Sequence, residues 1–475
     1  MRICMILEGC YPYVTGGVST WMHQYIQACP GQEFVLWVIA AYAKDRGKFK
    51  YELPDNVVEV HEVFLDQALK IKGSRLAGIK FTQEELAALA ALISGREPDW
   101  DLLFDMYQTR KIDPMAALVS EDFLQVIMKL CEEKYPYIAF ADMFHTVRSM
   151  LLPVLYVMGQ KAPKADVYHA VATGYGGLLA ALGSFVYKKP CLLTEHGIYT
   201  REREEEIIRA KWVTPSFKSH WIRFFYTLSA LIYDRATCVT SLFENAKKIQ
   251  IELGCKPEKC SVVSNGIHFR RFAQIPLKPE DGWIDIGAVV RLAPIKDIKT
   301  LIMAFYELKT RGVQARLYIL GGTDDEVYER ECLDMIQQLE VSDIILTGQV
   351  NVIEYLAKFD FTVLSSISEG QPLSVIESMA AGRPCVTTDV GCLRELLLGT
   401  KTDDLGRAGY LCPPMSREGL ADAMEQMCSD RQARLKMGEV ARERARIYYQ
   451  HEDMIRKYQV VIGEVNRKWQ ESALN

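Results

Sequence analysis

The sequence FTVLSSISEGQPLSVIE occupies residues 361–377 and holds the clearest structural signal in the chain. Its first four residues, FTVL, form a mainly apolar run with the length of a buried strand, whereas the residues after Pro372 have the pattern of a helix that runs to about residue 381. Proline suits the first turn of a helix, because its fixed φ is helical and no N–H group is needed there. The stretch therefore predicts a strand, a loop and a helix, as in a parallel sheet covered by helices.

The same alternation of short apolar runs with loops and helical patterns extends in both directions. It forms two series, and each series predicts a doubly wound, Rossmann-like α/β domain. The predicted strands span residues 3–7, 34–40, 167–171, 191–193 and 236–240 in the first series, and 284–290, 315–320, 344–346, 361–364 and 384–387 in the second. Helical patterns such as 82–94 and 120–134 interrupt the first series, so we expect a helical insertion over about 66–159.

A chain of 475 residues is too long for one compact core, which indicates at least two domains. Residues 270–282 carry two prolines and several charges without periodicity, as a linker does. We therefore expect a first domain over 1–272, a second over 283–450, and a terminal helix over 451–475 that packs back toward the first domain.

Candidate binding residues lie on loops at the carboxyl edge of the second predicted sheet. Arg291 and Lys296 follow the strand 284–290, where two cations can neutralise a diphosphate. Glu369 on the loop and Glu377 in the helix can accept hydrogen bonds from sugar hydroxyl groups, and the start of that helix can hold an anion. The alternative for each side chain is an ordinary solvated charge.

Glycine-containing turns follow other predicted strands. Gly16 and Gly17 follow the first strand, where bare backbone can approach a ligand or form a tight turn. Asn265-Gly266, Gly321-Gly322 and Gly348 are turn signals that carry little weight alone.

Composition excludes several classes of function. The net charge of −5 and a pI near 6.0 argue against a nucleic-acid partner. Scattered cysteines without a C-x-x-C pair and the lack of a secretory signal favour a cytoplasmic protein. The uncharged stretch 170–187 approaches the length of a membrane span, but its four glycines fit a strand end, a turn and a helix better.

The order of these motifs resembles the family-four retaining glycosyltransferases, which have the GT-B fold of two Rossmann-like domains facing a central cleft. The resemblance covers both domains outside the helical insertion and rests on Gly16-Gly17, Glu195-His196-Gly197, Asn265-Gly266-Ile267, Arg291 with Lys296, Gly348, and Glu369 with Glu377. Three longer stretches resemble the cytosolic members of that family in Pel exopolysaccharide systems: EGCYPYVTGGVS at 8–19, HAVATGYGG at 169–177 and TEHGIYTRER at 194–203.

The resemblance implies a retaining transfer of a hexose from a UDP-sugar, with UDP-glucose favoured, to a growing exopolysaccharide. The implied catalytic residues are Arg291 and Lys296 on the diphosphate, Glu369 on the transferred sugar, and His196 facing that sugar from the first domain. For His196, packing at a strand end is the alternative. Glu377 is implied to bind the ribose of the donor. The other implied donor-binding residues are Gly16, Gly17, Val350, Gly370, Gln371, Pro372, Leu373 and Ser374.

The resemblance also implies that neither a cofactor nor a metal is required. One formal D-x-D metal motif, Asp99-Trp100-Asp101, lies in the helical insertion away from any predicted sheet edge, so we interpret it as a turn or a helix cap.

Residues 201–235 are rich in charges and then in aromatic residues. A helix packed on the first domain is the favoured interpretation, and a contact with a membrane partner is the alternative. Association with membrane proteins of an exopolysaccharide synthase, at the inner face of the membrane, would fit the second.

Two other functions are compatible with the same motifs. A nucleotide-sugar epimerase would bind the donor but need no acceptor, and a non-catalytic nucleotide-binding scaffold would not turn it over. A dinucleotide-dependent dehydrogenase fits poorly, because no G-x-G-x-x-G follows the first predicted strand.

Overall fold

The computed structural model describes residues 1–71, 79–323 and 325–474, with the backbone alone for 472–474. The chain divides into two compact units. The first consists of Met1–Val262 and Tyr458–Asn475, and the second of Val263–Lys457. The second unit thus begins before the stretch expected to be a linker, and residues 270–273 of that stretch belong to a short helix, Phe269–Ala273.

The first unit is built on a seven-stranded parallel sheet. Its strands are β1 (Arg2–Glu8), β2 (Glu33–Ala40), β3 (Val57–Phe64), β4 (Val167–Ala170), β5 (Cys191–Glu195), β6 (Cys238–Ser241) and β7 (Cys260–Val262). Their order is β3-β2-β1-β4-β5-β6-β7, so Ile3 of β1 lies opposite Phe34 on one side and Val167 on the other. A sheet whose strand order reverses at β1 is doubly wound, as in the Rossmann fold, and the prediction for this part of the chain is confirmed.

Eleven described helices accompany this sheet. They are α1 (Gly17–Gln27), α2 (Leu65–Ala68), α3 (Gln83–Ile93), α4 (Trp100–Gln108), α5 (Pro114–Leu118), α6 (Glu121–Lys134), α7 (Phe140–Met158), α8 (Gly174–Tyr187), α9 (Tyr199–Arg209), α10 (Lys218–Arg235) and α11 (Glu244–Glu252). The run from α2 to α7 separates β3 from β4 and forms the expected helical insertion. Two of its helices, α3 and α6, start where the sequence predicts, because Thr82 and Glu85 form a capping box at α3 and Ser120 caps α6.

The uncharged stretch 170–187 forms the end of β4, a turn and α8, as predicted. Within the described residues, no helix combines the length and the hydropathy needed to span a bilayer.

The second unit is built on a six-stranded parallel sheet with the same doubly wound order, β10-β9-β8-β11-β12-β13. Its strands are β8 (Ile284–Val289), β9 (Ala315–Leu320), β10 (Ile344–Gly348), β11 (Phe361–Leu364), β12 (Cys385–Thr388) and β13 (Gly409–Cys412). Its helices are α12 (Phe269–Ala273), α13 (Ile298–Thr310), α14 (Glu326–Gln338), α15 (Val352–Leu356), α16 (Leu373–Ala380), α17 (Leu393–Leu398), α18 (Arg417–Ser429), α19 (Arg431–Tyr448) and the start of α20 (His451–Leu474).

The remainder of α20, from Tyr458, belongs to the first unit. The ring of Tyr458 is fully buried and packs against Trp21 and Tyr25 of α1 and His169 of β4, at centroid distances of 5.4, 5.6 and 6.1 Å. The last helix therefore contributes to the core of the first unit.

Candidate functional site

The carboxyl edge of the second sheet brings together two predicted loops. Because β8 and β11 are neighbours, the loop after β8 lies beside the loop after β11. The amide N–H of Ile367 donates to the carbonyl of Ile295 (2.9 Å), and the hydroxyl of Ser365 donates to the carbonyl of Lys296 (2.8 Å). These bonds fix the position of Lys296 relative to the loop that carries Glu369.

Lys296 and Glu369 form an ion pair. The ammonium Nζ lies 2.5 Å from Glu369 Oε1, which also accepts a hydrogen bond from Ser366 Oγ (2.6 Å). The two side chains are only 18% and 10% exposed, so the pair is weakly screened. The sequence assigned one partner to the diphosphate and the other to the sugar. A diphosphate bound here would therefore share the ammonium group with Glu369.

Arg291 is exposed and starts the same loop. Backbone bonds from Val290 N–H to Leu320 C=O (2.8 Å) and from Leu292 N–H to Gly322 C=O (2.9 Å) tie its segment to the loop after β9. Gly321 is required at this point, since a Cβ there would lie 1.9 Å from the carbonyl oxygen of Val290. The backbone around Arg291 is thus held on both sides.

The helix α16 begins directly after the Glu369 loop. Its N-cap residue is Pro372, whose side chain makes no capping hydrogen bond, so the first turn offers backbone N–H groups to an outside acceptor. Glu377 lies one turn further along. Burial raises the pKa of the Glu377 carboxyl from 4.5 to about 7, and the charge of Arg271 on α12 offsets part of that rise. Glu377 is therefore poised between its neutral and ionised forms near neutral pH.

Gln371, whose backbone amide is predicted to bind the donor, accepts two internal hydrogen bonds from Asn265. Its Oε1 accepts from the Asn265 amide N–H (2.6 Å), while its backbone carbonyl accepts from Asn265 Nδ2 (3.2 Å). The next residue, Gly266, lies so close to Gln450 that a Cβ on Gly266 would be 2.3 Å from the backbone carbonyl oxygen of Gln450. The Asn265-Gly266 turn thus holds the donor-side loop in place, a role that its sequence alone did not reveal.

Gly391, which sequence reasoning missed, supports the same loop. Its φ of +56° is in the left-handed region, and a Cβ there would lie 2.1 Å from the carbonyl oxygen of Glu369. Its neighbour Cys392 donates its amide N–H to the carbonyl of Gly370 (3.1 Å). The glycine that follows a predicted strand was the available signal.

Val350 lies two residues after β10 and is partly exposed. The preceding Gly348 accepts a hydrogen bond at its carbonyl from Gly321 N–H (2.9 Å), which joins the loops after β9 and β10. The second-unit residues singled out by the sequence are therefore carried on a connected set of loops at one sheet edge.

Gly16, Gly17 and His196 belong to the first unit, where the glycines follow β1 and His196 follows β5 at the carboxyl edge of the parallel sheet. Gly17 starts α1, and a Cβ on either glycine would meet nothing within 4 Å among the described residues. Trp21 of α1 contacts the imidazole ring of His196 edge-on at 4.7 Å. Steric crowding within the protein therefore does not explain why glycine occupies positions 16 and 17.

His196 is neutral at physiological pH. Burial lowers the pKa of its imidazole to about 4. Its Nε2 atom is buried and has no hydrogen-bond partner in the described part of the chain. A buried polar atom of this kind is usually satisfied by water or by a ligand, so His196 can hydrogen-bond a ligand but offers no positive charge.

Glu195, the residue before His196, is a buried carboxylate that orders this strand end. It accepts four hydrogen bonds, from Tyr233 OH (2.8 Å), Gln250 Nε2 (2.9 Å), Thr173 Oγ1 (3.1 Å) and the Tyr199 amide (3.1 Å). Burial raises the pKa of Glu195, and these bonds act in the opposite direction. With its acceptor sites occupied, Glu195 positions the loop that carries His196.

Glu8 ends β1 and accepts a hydrogen bond from the Gly176 amide at the start of α8 (2.8 Å). Burial raises the pKa of its carboxyl to about 6, while that hydrogen bond and the charge of Arg203 lower it. Glu8 thus provides a second carboxylate at the carboxyl edge of the first sheet.

The D-x-D motif is structural, as interpreted from the sequence. Asp99 caps α4 by accepting from the Leu102 amide (3.0 Å), and Asp101 pairs with Arg235 (2.8 Å). Across residues 1–71, 79–323 and 325–474, no group of three or more His, Cys, Asp or Glu side chains is arranged to hold a metal ion.

The fold of the two units is that of the GT-B glycosyltransferases. The structure of HepE from Anabaena in complex with UDP superposes with a TM-score of 0.63 at 14% identity, over 98% of this chain and 100% of that one. Sucrose-phosphate synthase of Thermosynechococcus elongatus gives a TM-score of 0.61 at 15% identity, over 99% of both chains. At these identities the likeness establishes the fold.

The chain belongs to the family described as "Domain of unknown function (DUF3492)", which matches residues 1–258, more than half of its length. Residues 284–430 match the family "Glycosyl transferases group 1". Among curated proteins, N-acetyl-alpha-D-glucosaminyl L-malate synthase of Bacillus anthracis is 30% identical over 175 residues, which are 36% of this chain and 43% of that protein. The chain thus spans less than half the length of the first curated relatives that it matches.

Proposed function

We propose that this protein is a retaining glycosyltransferase that moves a hexose from a UDP-sugar to a growing polysaccharide. The proposal rests on the Lys296–Glu369 pair at the start of α16, together with Arg291 and Glu377 on neighbouring segments of one sheet edge. This edge combines fixed cations, free N-terminal amides of a helix and carboxylates, which are the groups that a diphosphate and a polyol need.

The departure of a nucleoside diphosphate builds negative charge on the leaving oxygen. Preorganised cations and helix N-terminal amides stabilise such a charge at little reorganisation cost. In this proposal Arg291, Lys296 and the amides from Gly370 to Ser374 bind the diphosphate, Glu369 binds the sugar, and Glu377 accepts the ribose hydroxyl groups. The reaction needs no metal, since protein cations take the role of a divalent ion.

In the first unit, His196 would hydrogen-bond the transferred sugar through its unpartnered Nε2, and Gly16 and Gly17 would leave room for the donor phosphates. The stretches 8–19, 169–177 and 194–203 further support a Pel-type exopolysaccharide as the product and a likeness to the enzyme called PelF. UDP-glucose is the favoured donor, because HepE, a protein of the same fold, has been crystallised with UDP and UDP-glucose.

Calorimetric titration tests the donor assignment. UDP and UDP-glucose, beside GDP, ADP and NAD, are titrated into the wild type, Arg291→Ala and the control Arg417→Ala, which removes an exposed cation of α18. We expect uridine ligands to bind selectively and to bind at least tenfold more weakly to Arg291→Ala, while the control matches the wild type. Absence of uridine binding would overturn the proposal.

A product assay then separates the remaining alternatives. Release of UDP together with a glycosylated acceptor identifies a transferase, whereas a changed stereocentre in an intact nucleotide sugar identifies an epimerase. Binding without any turnover would leave a nucleotide-binding scaffold.

A further inference from the structure

The connection between α9 and α10 has an unusual charge pattern. Residues 207–223 read IIRAKWVTPSFKSHWIR and contain four cations and no acidic residue, in a chain whose net charge is −5. The cations are Arg209, Lys211, Lys218 and Arg223, of which all but the partly exposed Lys218 are exposed. This segment therefore presents local positive charge on an acidic protein.

The same segment exposes large apolar side chains. Trp212 is 66% exposed and Ile208 is 55% exposed. Trp212 is held at its edge by the buried ring of Trp221, at a centroid distance of 5.4 Å, and Lys218 Nζ bonds the carbonyl of Ile208. The exposed groups thus stand on an ordered support.

Two further exposed aromatic residues follow Tyr135, which packs at the start of α10. Tyr135 packs against Phe217 and His220, each at 5.9 Å, just before the start of α7. Tyr137, two residues later, is 99% exposed, and Phe140 is 41% exposed. We call Tyr137, Phe140, Ile208, Arg209, Lys211, Trp212, Lys218 and Arg223 the basic aromatic patch.

Acidic residues border the patch: Glu204, Glu205 and Glu206 precede Ile207, Glu132 and Glu133 precede Lys134, and Asp142 lies two residues after Phe140. Glu206 pairs with Arg203 (2.7 Å), Glu205 pairs with Arg209 (3.8 Å), and Glu204 accepts a hydrogen bond from Tyr226 OH (3.1 Å). Lys211, Lys218 and Arg223 are left to give the patch its positive sign.

We propose that the basic aromatic patch docks the protein on the surface of a membrane that contains anionic lipids. Tryptophan and tyrosine prefer the interface between water and hydrocarbon, and neighbouring lysine and arginine bind anionic headgroups. Lysine is depleted at protein–protein interfaces, so the pairing of Lys211 with Trp212 favours lipid over a protein partner. This inference goes beyond the proposed function, since it concerns where the protein acts and not which bond it forms.

Vesicle co-sedimentation of the full chain provides the test. Vesicles of phosphatidylcholine alone are compared with vesicles that contain phosphatidylglycerol, at low and high salt. Two variants are measured beside the wild type: Trp212→Ala, and the triple change Arg209→Gln, Lys211→Gln and Arg223→Gln. The control triple change, Lys401→Gln, Lys436→Gln and Lys457→Gln, removes the same charge from other exposed positions.

We expect the wild type and the control to bind the anionic vesicles and to be released by salt. Each patch cation removed should weaken binding by about fivefold, and loss of Trp212 by at least as much. The charge variants should retain the wild-type melting temperature, because their changed side chains are exposed, and Trp212→Ala should lower it only slightly, because it removes a single edge contact with Trp221. Lack of wild-type binding to anionic vesicles, or equal losses in the patch and control variants, would overturn the proposal. If this surface binds a protein receptor and not lipid, the wild type should fail to bind the anionic vesicles.

Discussion

The buried carboxylate of Glu377 should cost the protein stability, and replacing it by glutamine measures that cost. Burial raises its pKa from 4.5 to about 7. Each pKa unit corresponds to about 1.4 kcal/mol, so ionising Glu377 in the folded protein costs at most about 3 kcal/mol relative to the unfolded chain.

The sign of the pH dependence follows from proton binding. Between pH 4.5 and 7 the folded state keeps the proton on Glu377 while the unfolded state releases it, so stability falls as the pH rises through this window. Glu377→Gln carries no titrating group. We therefore expect its advantage over the wild type in free energy of unfolding to grow by about 2 kcal/mol between pH 5 and pH 8.

Urea unfolding at pH 5 and pH 8, followed by tryptophan fluorescence, provides the measurement. Glu439→Gln on α19 is the control, since Glu439 is an exposed helical glutamate whose change should stay within about 0.5 kcal/mol at both pH values. If Glu377→Gln gains no more than the control, the carboxyl group is not buried as described and the reasoning fails.

The same variant tests the proposed ribose contact. If the carboxylate accepts hydrogen bonds from the ribose, the affinity of the wild type for UDP should rise from pH 6 to pH 8 as Glu377 ionises. The phosphate of UDP also titrates at about pH 6, so the difference between the wild type and Glu377→Gln is the relevant quantity. Parallel pH profiles in the two proteins would argue against the contact.

Two further substitutions probe the loops around this site, and a chelator assay probes the need for a metal. Gly391→Ala should displace the Glu369 loop and lower the affinity for UDP at least tenfold. The control Gly312→Ala should retain the wild-type affinity, because Gly312 also has a positive φ (+84°) but a Cβ there meets no described atom within 4 Å. Equal affinities in the two variants would show that the loop tolerates the added methyl group. Gln371→Leu should lower the free energy of unfolding by about 1–3 kcal/mol, because the buried Asn265 amide loses its acceptor, and an unchanged urea midpoint would refute that role. Sugar transfer should continue in excess chelator; abolition by chelator with recovery on adding magnesium would contradict the metal-independent mechanism.

The sequence predicted the interior strands of both sheets well, because strands buried on both faces are short continuous apolar runs. It missed β3, β7 and β13, which are three of the four edge strands of the two sheets; the fourth edge strand, β10, was predicted. The strand β3 has two glutamates and a histidine among its eight residues, and β7 has only three residues. Edge strands are commonly short or charged, so periodicity alone does not reveal them.

Within the site, sequence order identified which loops matter but not how they are joined. The pairing of Lys296 with Glu369 spans 73 residues, and the contact between Asn265 and Gln371 spans 106. No local sequence pattern encodes a contact between residues that are so far apart along the chain. The burial that moves the pKa of Glu377 and His196 is likewise a property of the packed units and not of their own segments.

The placement of Tyr458 has a consequence for the order in which the protein is made. The first unit lacks this ring until the whole second unit has been synthesised, a delay of about 195 residues between Val263 and Lys457. At typical translation rates that interval lasts about 10–40 s. During it, Trp21, Tyr25 and His169 face an unfilled space in the nascent chain, so we expect chaperones that bind exposed aromatic surface to engage this protein during synthesis, before its last helix emerges.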